Sequence, residues 1–234
     1  MIDGKAVGLR PRKYAVLLAL LLVALAIETF NAQPGAERLR SDALRTVLGV
    51  AIWFVVFDRP RERATMAAVL LASLAIIWGR YFAVASLDHA ISLADQTLNA
   101  FSLWSAVCVI LRDLFRTPAA GAEHVLGAIC GYLIAGNAWA RIHAIAYLLV
   151  PSAYSISAAL SALLPDWQGR LALFTYYAFT QMLTIGYSDV TPVRAPATTL
   201  SLFSQLFGVF YTAVVVSVFV GLAQNGKRKS PDGE

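Results

Sequence analysis

Six apolar runs, each bounded by charged or turn-forming residues, take up most of the chain: Tyr14 to Phe30, Leu39 to Phe57, Ala64 to Ser86, Thr97 to Leu114, Val125 to Val150 and Thr198 to Ala223. A bilayer hydrocarbon core about 30 Å thick is crossed by roughly 20 apolar residues of helix, so each run predicts a membrane span. A seventh run, Leu171 to Leu183, has 13 residues. At 1.5 Å per residue it reaches about 20 Å, too little to cross. The first run follows Lys5, Arg10, Arg12 and Lys13 and contains Ala-Leu-Ala near its end. A cleaved signal peptide has that outline too, and the run is read here as the first span.

Composition narrows the function. Of 234 residues, 59% are hydrophobic and 14% charged, against about 25% charged in soluble domains, which excludes an ordinary water-soluble enzyme. The net charge of +5 comes from basic residues that punctuate the apolar runs, whereas a nucleic-acid footprint clusters on one exposed face. No nucleic-acid partner is expected. The two cysteines, Cys108 and Cys130, lie inside apolar stretches and offer neither a disulfide framework nor a zinc spacing. His124 and His143 form no metal-ligand spacing. There is no Ser/His/Asp arrangement, HExxH or phosphate-binding glycine loop, so neither an enzyme nor a cofactor is expected.

Basic residues also set the direction. With a cytoplasmic N-terminus, the inside segments hold Lys5, Arg10, Arg12, Lys13, Arg59, Arg61, Arg63, Arg112, Arg116, Lys227, Arg228 and Lys229, and the outside segments hold Arg38, Arg40, Arg170 and Arg194. Twelve against four satisfies the positive-inside rule. Both termini are then cytoplasmic in a multi-pass cell-membrane protein, with no appended soluble domain.

Between the fifth and sixth runs, the short apolar stretch is followed at once by Thr184-Ile-Gly-Tyr-Ser-Asp-Val-Thr-Pro192. Irregular backbone at membrane depth is tolerated only where it is buried in protein or lines a water-filled cavity. A short helix and a return strand therefore predict a re-entrant hairpin, entering and leaving at the outer face. Five residues from Thr184 to Ser188 at about 3.3 Å each span roughly 16 Å.

The TIGYSD of Thr184 to Asp189 resembles the TVGYGD signature of potassium channels. The likeness extends to Tyr176 and Tyr177, where those channels have an aromatic cuff, and to Gly208, near their inner-helix hinge. The run Ala128-Ile-Cys-Gly-Tyr-Leu-Ile looks like the outer helix of small bacterial members. Together these cover about residues 121 to 224; the resemblance does not extend to residues 1 to 120.

The resemblance implies an ion-binding filter of Thr184, Ile185, Gly186, Tyr187 and Ser188, in which the carbonyls of the first four meet K⁺ and the Thr184 hydroxyl completes the innermost site. It also turns Thr212, Val216 and Val220 toward a cavity, where an apolar ring can gate by dewetting; facing lipid is the alternative for these valines, and close packing the alternative for Gly208. Asp189 is either one of four carboxylates concentrating cations at the outer mouth or a turn residue before Val-Thr-Pro. Thr180 either bonds behind the filter or satisfies its own helix.

The physics of the motif stands apart from the resemblance. A pore that passes K⁺ must replace the hydration shell with oxygens, and stacked backbone carbonyls supply them. One strand cannot surround an ion; four chains about one axis can, which predicts a homotetramer in the bilayer. Inward carbonyls in succession require unusual alternating dihedrals, and Gly186 takes φ > 0 at no steric cost. Two residues depart from the signature: Ser188 stands for the second glycine, and Leu183 for a frequent second threonine.

The expectation is thus an all-α membrane protein with six transmembrane helices, a pore helix and a filter between the fifth and sixth. Residues 1-120 form a four-helix region of unknown role, 121-224 a pore domain, and 225-234 a short basic tail. A voltage sensor needs an arginine-rich fourth helix, and Thr97 to Leu114 holds only Arg112. Glu28, Arg45, Arg80, Asp95 and Arg141 lie in or near spans. The leading function is a potassium channel with K⁺ as its permeant ion. A weakly selective cation channel and a transporter or accessory protein with a coincidental TIGYSD are the alternatives; repeated halves with paired broken helices, a transporter feature, are not visible.

Overall fold

The computed structural model describes residues 13–30, 38–82, 88–116 and 122–228, the last ten as backbone only. In chain order come α1 (Lys13–Phe30), α2 (Arg38–Val56), α3 (Pro60–Gly79), α4 (Asp88–Arg116) and α5 (Ala122–Leu149). A strand β1 (Tyr154–Ile156), the single-turn α6 (Ala158–Ser161), α7 (Trp167–Met182), a strand β2 (Val190–Pro192) and the long α8 (Ala195–Arg228) complete it. Among the described residues, each of the six long apolar runs is thus helical but for Phe57 and Val150 at the ends of two of them. Four segments are long and apolar enough to cross a membrane: Pro60–Gly79, His89–Arg116, Glu123–Leu149 and Ala195–Val218. The apolar stretch of α1 is shorter, and α2 carries Arg38, Arg40, Asp42 and Arg45 in its first half.

Local chemistry explains where the helices begin. Pro60 stands in the first turn of α3, where its missing N–H costs nothing, and Glu62 in that turn faces the positive end of the helix dipole. Asp166 caps α7, its carboxylate accepting from the backbone N–H groups of Gln168 and Gly169 at 3.2 and 3.3 Å. Counting apolar residues puts the start of this helix at Leu171. The cap starts it at Trp167, and 16 residues give about 24 Å.

Two clusters of buried side chains hold the helices together. The larger joins Leu17 and Leu21 of α1, Val55 and Val56 of α2, Val107 and Ile110 of α4, and Ile134 and Trp139 of α5, and it reaches Ala178 and Met182 of α7. The smaller surrounds Phe174 and Tyr177 of α7 with Tyr154, Val190 and Ala197. At one end of the bundle, Arg112 of α4 reaches both carboxylate oxygens of Glu62 on α3. The one arginine of the fourth run therefore fastens two helices. Cys130 is buried, Cys108 exposed, and both are free thiols.

The strands bracket the segment that departs from the helical pattern. β1 pairs antiparallel with β2, with Tyr154 opposite Pro192 and Ile156 opposite Val190, and the N–H of Ser157 donates to the Asp189 carbonyl at 2.9 Å. The chain from Ser157 to Asp189 therefore leaves and returns at one point. Periodicity gives no sign of strands this short.

α7 also lies directly on α8. A Cβ at Gly208 would stand 2.2 Å from the Met182 carbonyl oxygen and 2.7 Å from its Cα, so only glycine lets α8 pass the end of α7 this closely, and α8 is helical throughout this point. Gly208→Ala is expected to cost about 1–3 kcal/mol by overpacking. Gly79→Ala, with nothing within 4 Å of the added carbon, should change stability by no more than about 1 kcal/mol. Thermal unfolding of the two variants in detergent checks the contrast.

Candidate functional site

The last turn of α7 hands its chain to the TIGYSD segment through three backbone bonds. Leu183 N–H donates to the Phe179 carbonyl, Thr184 N–H to that of Gln181, and Ile185 N–H to that of Thr180, each at 2.9 Å. Beyond them the backbone alternates. Thr184, Gly186 and Ser188 have φ of 57°, 64° and 66°, while Ile185 and Tyr187 between them stay outside the positive-φ region. For glycine the left-handed region is free of strain; for threonine and serine it costs about 1–2 kcal/mol each.

The carbonyls of this segment are unusual as well. Among the described residues, no donor reaches the carbonyl oxygens of Thr184, Ile185, Gly186, Tyr187 or Ser188, and the hydroxyls of Thr184 and Ser188 make no hydrogen bond. Folded chains satisfy nearly all such groups with protein or water. All five residues are exposed in the single chain, as is Leu183 at the cap of α7. The segment thus offers five consecutive acceptors on an exposed ridge.

Side chains fix the far end of the ridge. The Tyr176 hydroxyl donates to Asp189 Oδ2 at 2.9 Å, and the rings of Tyr176 and Tyr187 stack with centroids 6.3 Å apart and planes 6° from parallel. Partial burial, and then the bond to Asp189, push the Tyr176 phenol up to about 12, so it remains the donor throughout the physiological range. Asp189 thereby joins α7 through its carboxylate and α6 through its carbonyl.

The neighbouring Tyr177 is directed to α8 and α5. It is almost fully buried, and its hydroxyl meets Ser201 Oγ at 2.6 Å. Since Ser201 gives its own proton to the Ala197 carbonyl, Tyr177 is the donor. The His143 ring packs edge-on against Tyr177 at 5.0 Å, and His143 Nδ1 pairs with the Tyr154 hydroxyl at 2.8 Å. The two tyrosines therefore divide the work: Tyr176 touches the TIGYSD segment, and Tyr177 locks α7 to its neighbours. Thr180 gives its hydroxyl to the Tyr177 carbonyl in its own helix and supports the segment through its carbonyl.

The remaining sequence candidates lie along α8. Gly208 is the point of close approach to Met182. The Thr212 hydroxyl donates back to the Gly208 carbonyl at 3.0 Å, and Thr212 and Val216 are exposed in the single chain. Val220 falls outside the described side chains. Sequence reasoning passed over Gln181, which accepts from the amide of Gln205 on α8. A glutamine in an otherwise apolar helix end, one turn before Ile185, was the available signal. Among the described residues, no group of three or more His, Cys, Asp or Glu could hold a metal ion.

Residues 152–225 match the family described as ion channel, a stretch that contains β1, α6, α7, the TIGYSD segment, β2 and nearly all of α8. No curated protein and no solved structure gives a significant match. The chain is mostly helical, with four helices long and apolar enough to cross a membrane among its described residues, and its similarity to an ion-channel domain over residues 152–225 supports a reading of passive ion conduction.

Tyr176→Phe keeps the ring stack and removes the bond to Asp189. A loss of about 1 kcal/mol is expected, less than a buried charge-assisted bond because the pair is partly exposed. Chemical denaturation of the variant against the wild type checks it, with Asp189→Asn expected to be epistatic to it.

Proposed function

We propose that this chain forms a homotetrameric potassium channel that passes K⁺ down its gradient through a filter made by Thr184, Ile185, Gly186, Tyr187 and Ser188. The observation that carries the reading is the five consecutive carbonyls without a donor, on a backbone left-handed at every second residue. In an ordinary strand, successive carbonyls point to opposite sides. Alternating left- and right-handed residues turn successive peptide planes the same way, so the oxygens form one file. A file of carbonyl oxygens replaces the hydration shell of K⁺; a single chain supplies one side of that cage, and four chains about an axis close it.

The rest of the domain fits this chemistry. The carbonyl end of α7 carries the negative end of its dipole, which favours a cation beside Thr184. In the bilayer, α7 and the filter form a re-entrant hairpin at the outer face, clamped by β1 and β2. Asp189 stands at the outer mouth, and Thr212 and Val216 line the inner cavity. With α1 and α2 crossing as well, the protein has six spans and two cytoplasmic termini in the cell membrane. Residues 121-224 are then the pore domain, residues 1-120 a four-helix region and 225-234 a basic tail.

Ser188 favours a second, weaker reading. Left-handed serine costs about 1–2 kcal/mol per chain, or roughly 4–8 kcal/mol in a tetramer, and among the described residues its hydroxyl has no partner to offset this. A filter relaxed by that strain discriminates K⁺ from Na⁺ poorly.

Reversal potentials of the reconstituted full-length protein under opposed K⁺ and Na⁺ gradients test the proposal. Reversal near the K⁺ equilibrium potential is expected, reversal near zero would leave the weakly selective channel, and no conductance would refute both. Ser188→Gly is expected to move the reversal potential closer to that of K⁺, because glycine removes the strain. An unchanged value would mean that this position does not control selectivity.

A further inference from the structure

Four charged side chains meet inside the four-helix region, away from the TIGYSD segment. At the end of the bundle where α2 begins, α3 ends and α4 begins, Asp42, Arg45, Arg80 and Asp95 come together, with Arg141 of α5 bonded to Gln96 beside Asp95. Asp95 is fully buried, Asp42 and Arg141 nearly so, and the Arg45 side chain is 8% exposed. Arg45 stands 3.9 Å from Asp95, and Asn99 donates to Asp95 at 2.7 Å. Arg80 donates to Ser92 at 3.0 Å, Tyr81 to Asp42 at 2.9 Å, and Arg141 to Gln96 at 2.9 Å. The bonds run between α2, the end of α3, α4 and α5.

Two of these arginines reach out of the cluster to the same ring. The guanidinium carbons of Arg45 and Arg80 lie 4.3 and 4.8 Å from the centroid of Trp167, the first residue of α7. A cation over an indole face is attracted by the ring quadrupole, the more strongly the less water surrounds it. Buried charge is a costly way to join helices, since apolar side chains of the same volume often hold as well or better. Both Nη atoms of Arg45 and Oδ2 of Asp95 lack a hydrogen bond, so the cluster sits away from its best-satisfied arrangement and can be re-paired by small helix movements. Ionisable groups inside a membrane protein are functional candidates for this reason.

From these contacts we infer that Trp167, under Arg45 and Arg80, is the joint through which the four-helix region sets the position of α7 and hence of the ion filter. This rests on the channel reading above. Trp167 is a positioning residue: it stands at one end of a continuous helix whose other end, at Thr180 and Gln181, holds the N–H groups of Ile185 and Thr184. A rigid helix of about 24 Å transmits a shift at its first residue to its last turn. The inputs are α2, which carries Arg45, and the turn that follows α3, which carries Arg80.

Single-channel recording of the full-length protein in bilayers tests the joint with Trp167→Leu, Arg45→Leu, their double variant, and the milder Trp167→Phe and Arg45→Lys. Trp167→Leu and Arg45→Leu should each shift the open probability about tenfold, the equivalent of about 1.4 kcal/mol. The double variant should shift no further than either single one, Trp167→Phe should stay near wild type, and unitary conductance should not change. Additive shifts, or an unchanged open probability in a conducting series, would overturn the inference. Should the leucine variants not assemble, a partial shift in Arg45→Lys beside a Trp167→Phe near wild type supports the joint, and no shift in Arg45→Lys overturns it. If the wild type does not conduct, the channel reading fails by itself. A double-variant cycle on thermal unfolding then decides the contact, coupling upholding it and additivity overturning it.

Discussion

Backbone carbonyls have to be met by something, and among the described residues five consecutive ones, those of Thr184 to Ser188, receive no donor. The contacts at the two ends of this segment fix where it starts and where it ends. The end of α7 spends its last carbonyls on the N–H groups of Leu183, Thr184 and Ile185, so the segment begins from a fixed point. Tyr176 holds Asp189 and stacks on Tyr187, so it ends at one. The β1–β2 pair closes the excursion behind them. Between these anchors the left-handed residues Thr184, Gly186 and Ser188 persist although two of them carry side chains, because surroundings that over-determine a segment can sustain strain of this size.

What surrounds the segment has to be stiff for the same reason. α7 is wedged between α5 and α8 by Tyr177, which is bonded to Ser201 and packed on His143, and by the absence of a side chain at Gly208. Gln181 and Gln205 add a polar tie just behind Ile185. The four preceding helices are joined to this unit through the apolar core around Trp139 and Met182 and through the charged cluster that bears on Trp167. Arg112, the basic residue that a charge-counting reader examines first, is engaged by Glu62 at the other end of the bundle.

The parts legible in the sequence were those set by composition over many residues or by a dense local motif. Each of the six apolar runs became a helix, because no other structure satisfies a backbone in a lipid-like setting within a single segment. The TIGYSD stretch stood out because its glycine and polar residues interrupt that pattern. Features made by one or two residues acting at a distance were not legible. The start of α7 depends on the Asp166 cap rather than on apolarity, which is why Leu171 was expected and Trp167 found. Adjacent tyrosines look equivalent in sequence, yet one helical step of about 100° turns Tyr176 to the TIGYSD segment and Tyr177 to α8. The cluster of Arg45, Arg80, Asp95 and Arg141 was visible only as scattered charges near span ends, since their meeting depends on how four helices cross.

The central claim is that the carbonyls of Thr184 to Ser188 hold dehydrated K⁺ on an axis shared by four chains. Anomalous diffraction from crystals of the full-length protein grown with Rb⁺ or Tl⁺ in place of K⁺ examines that claim at the atoms concerned. The account predicts a row of anomalous peaks on a fourfold axis, level with these carbonyls and absent when Na⁺ alone is present. Chains not arranged about such an axis, or a fourfold assembly with no ion along the segment, would contradict it.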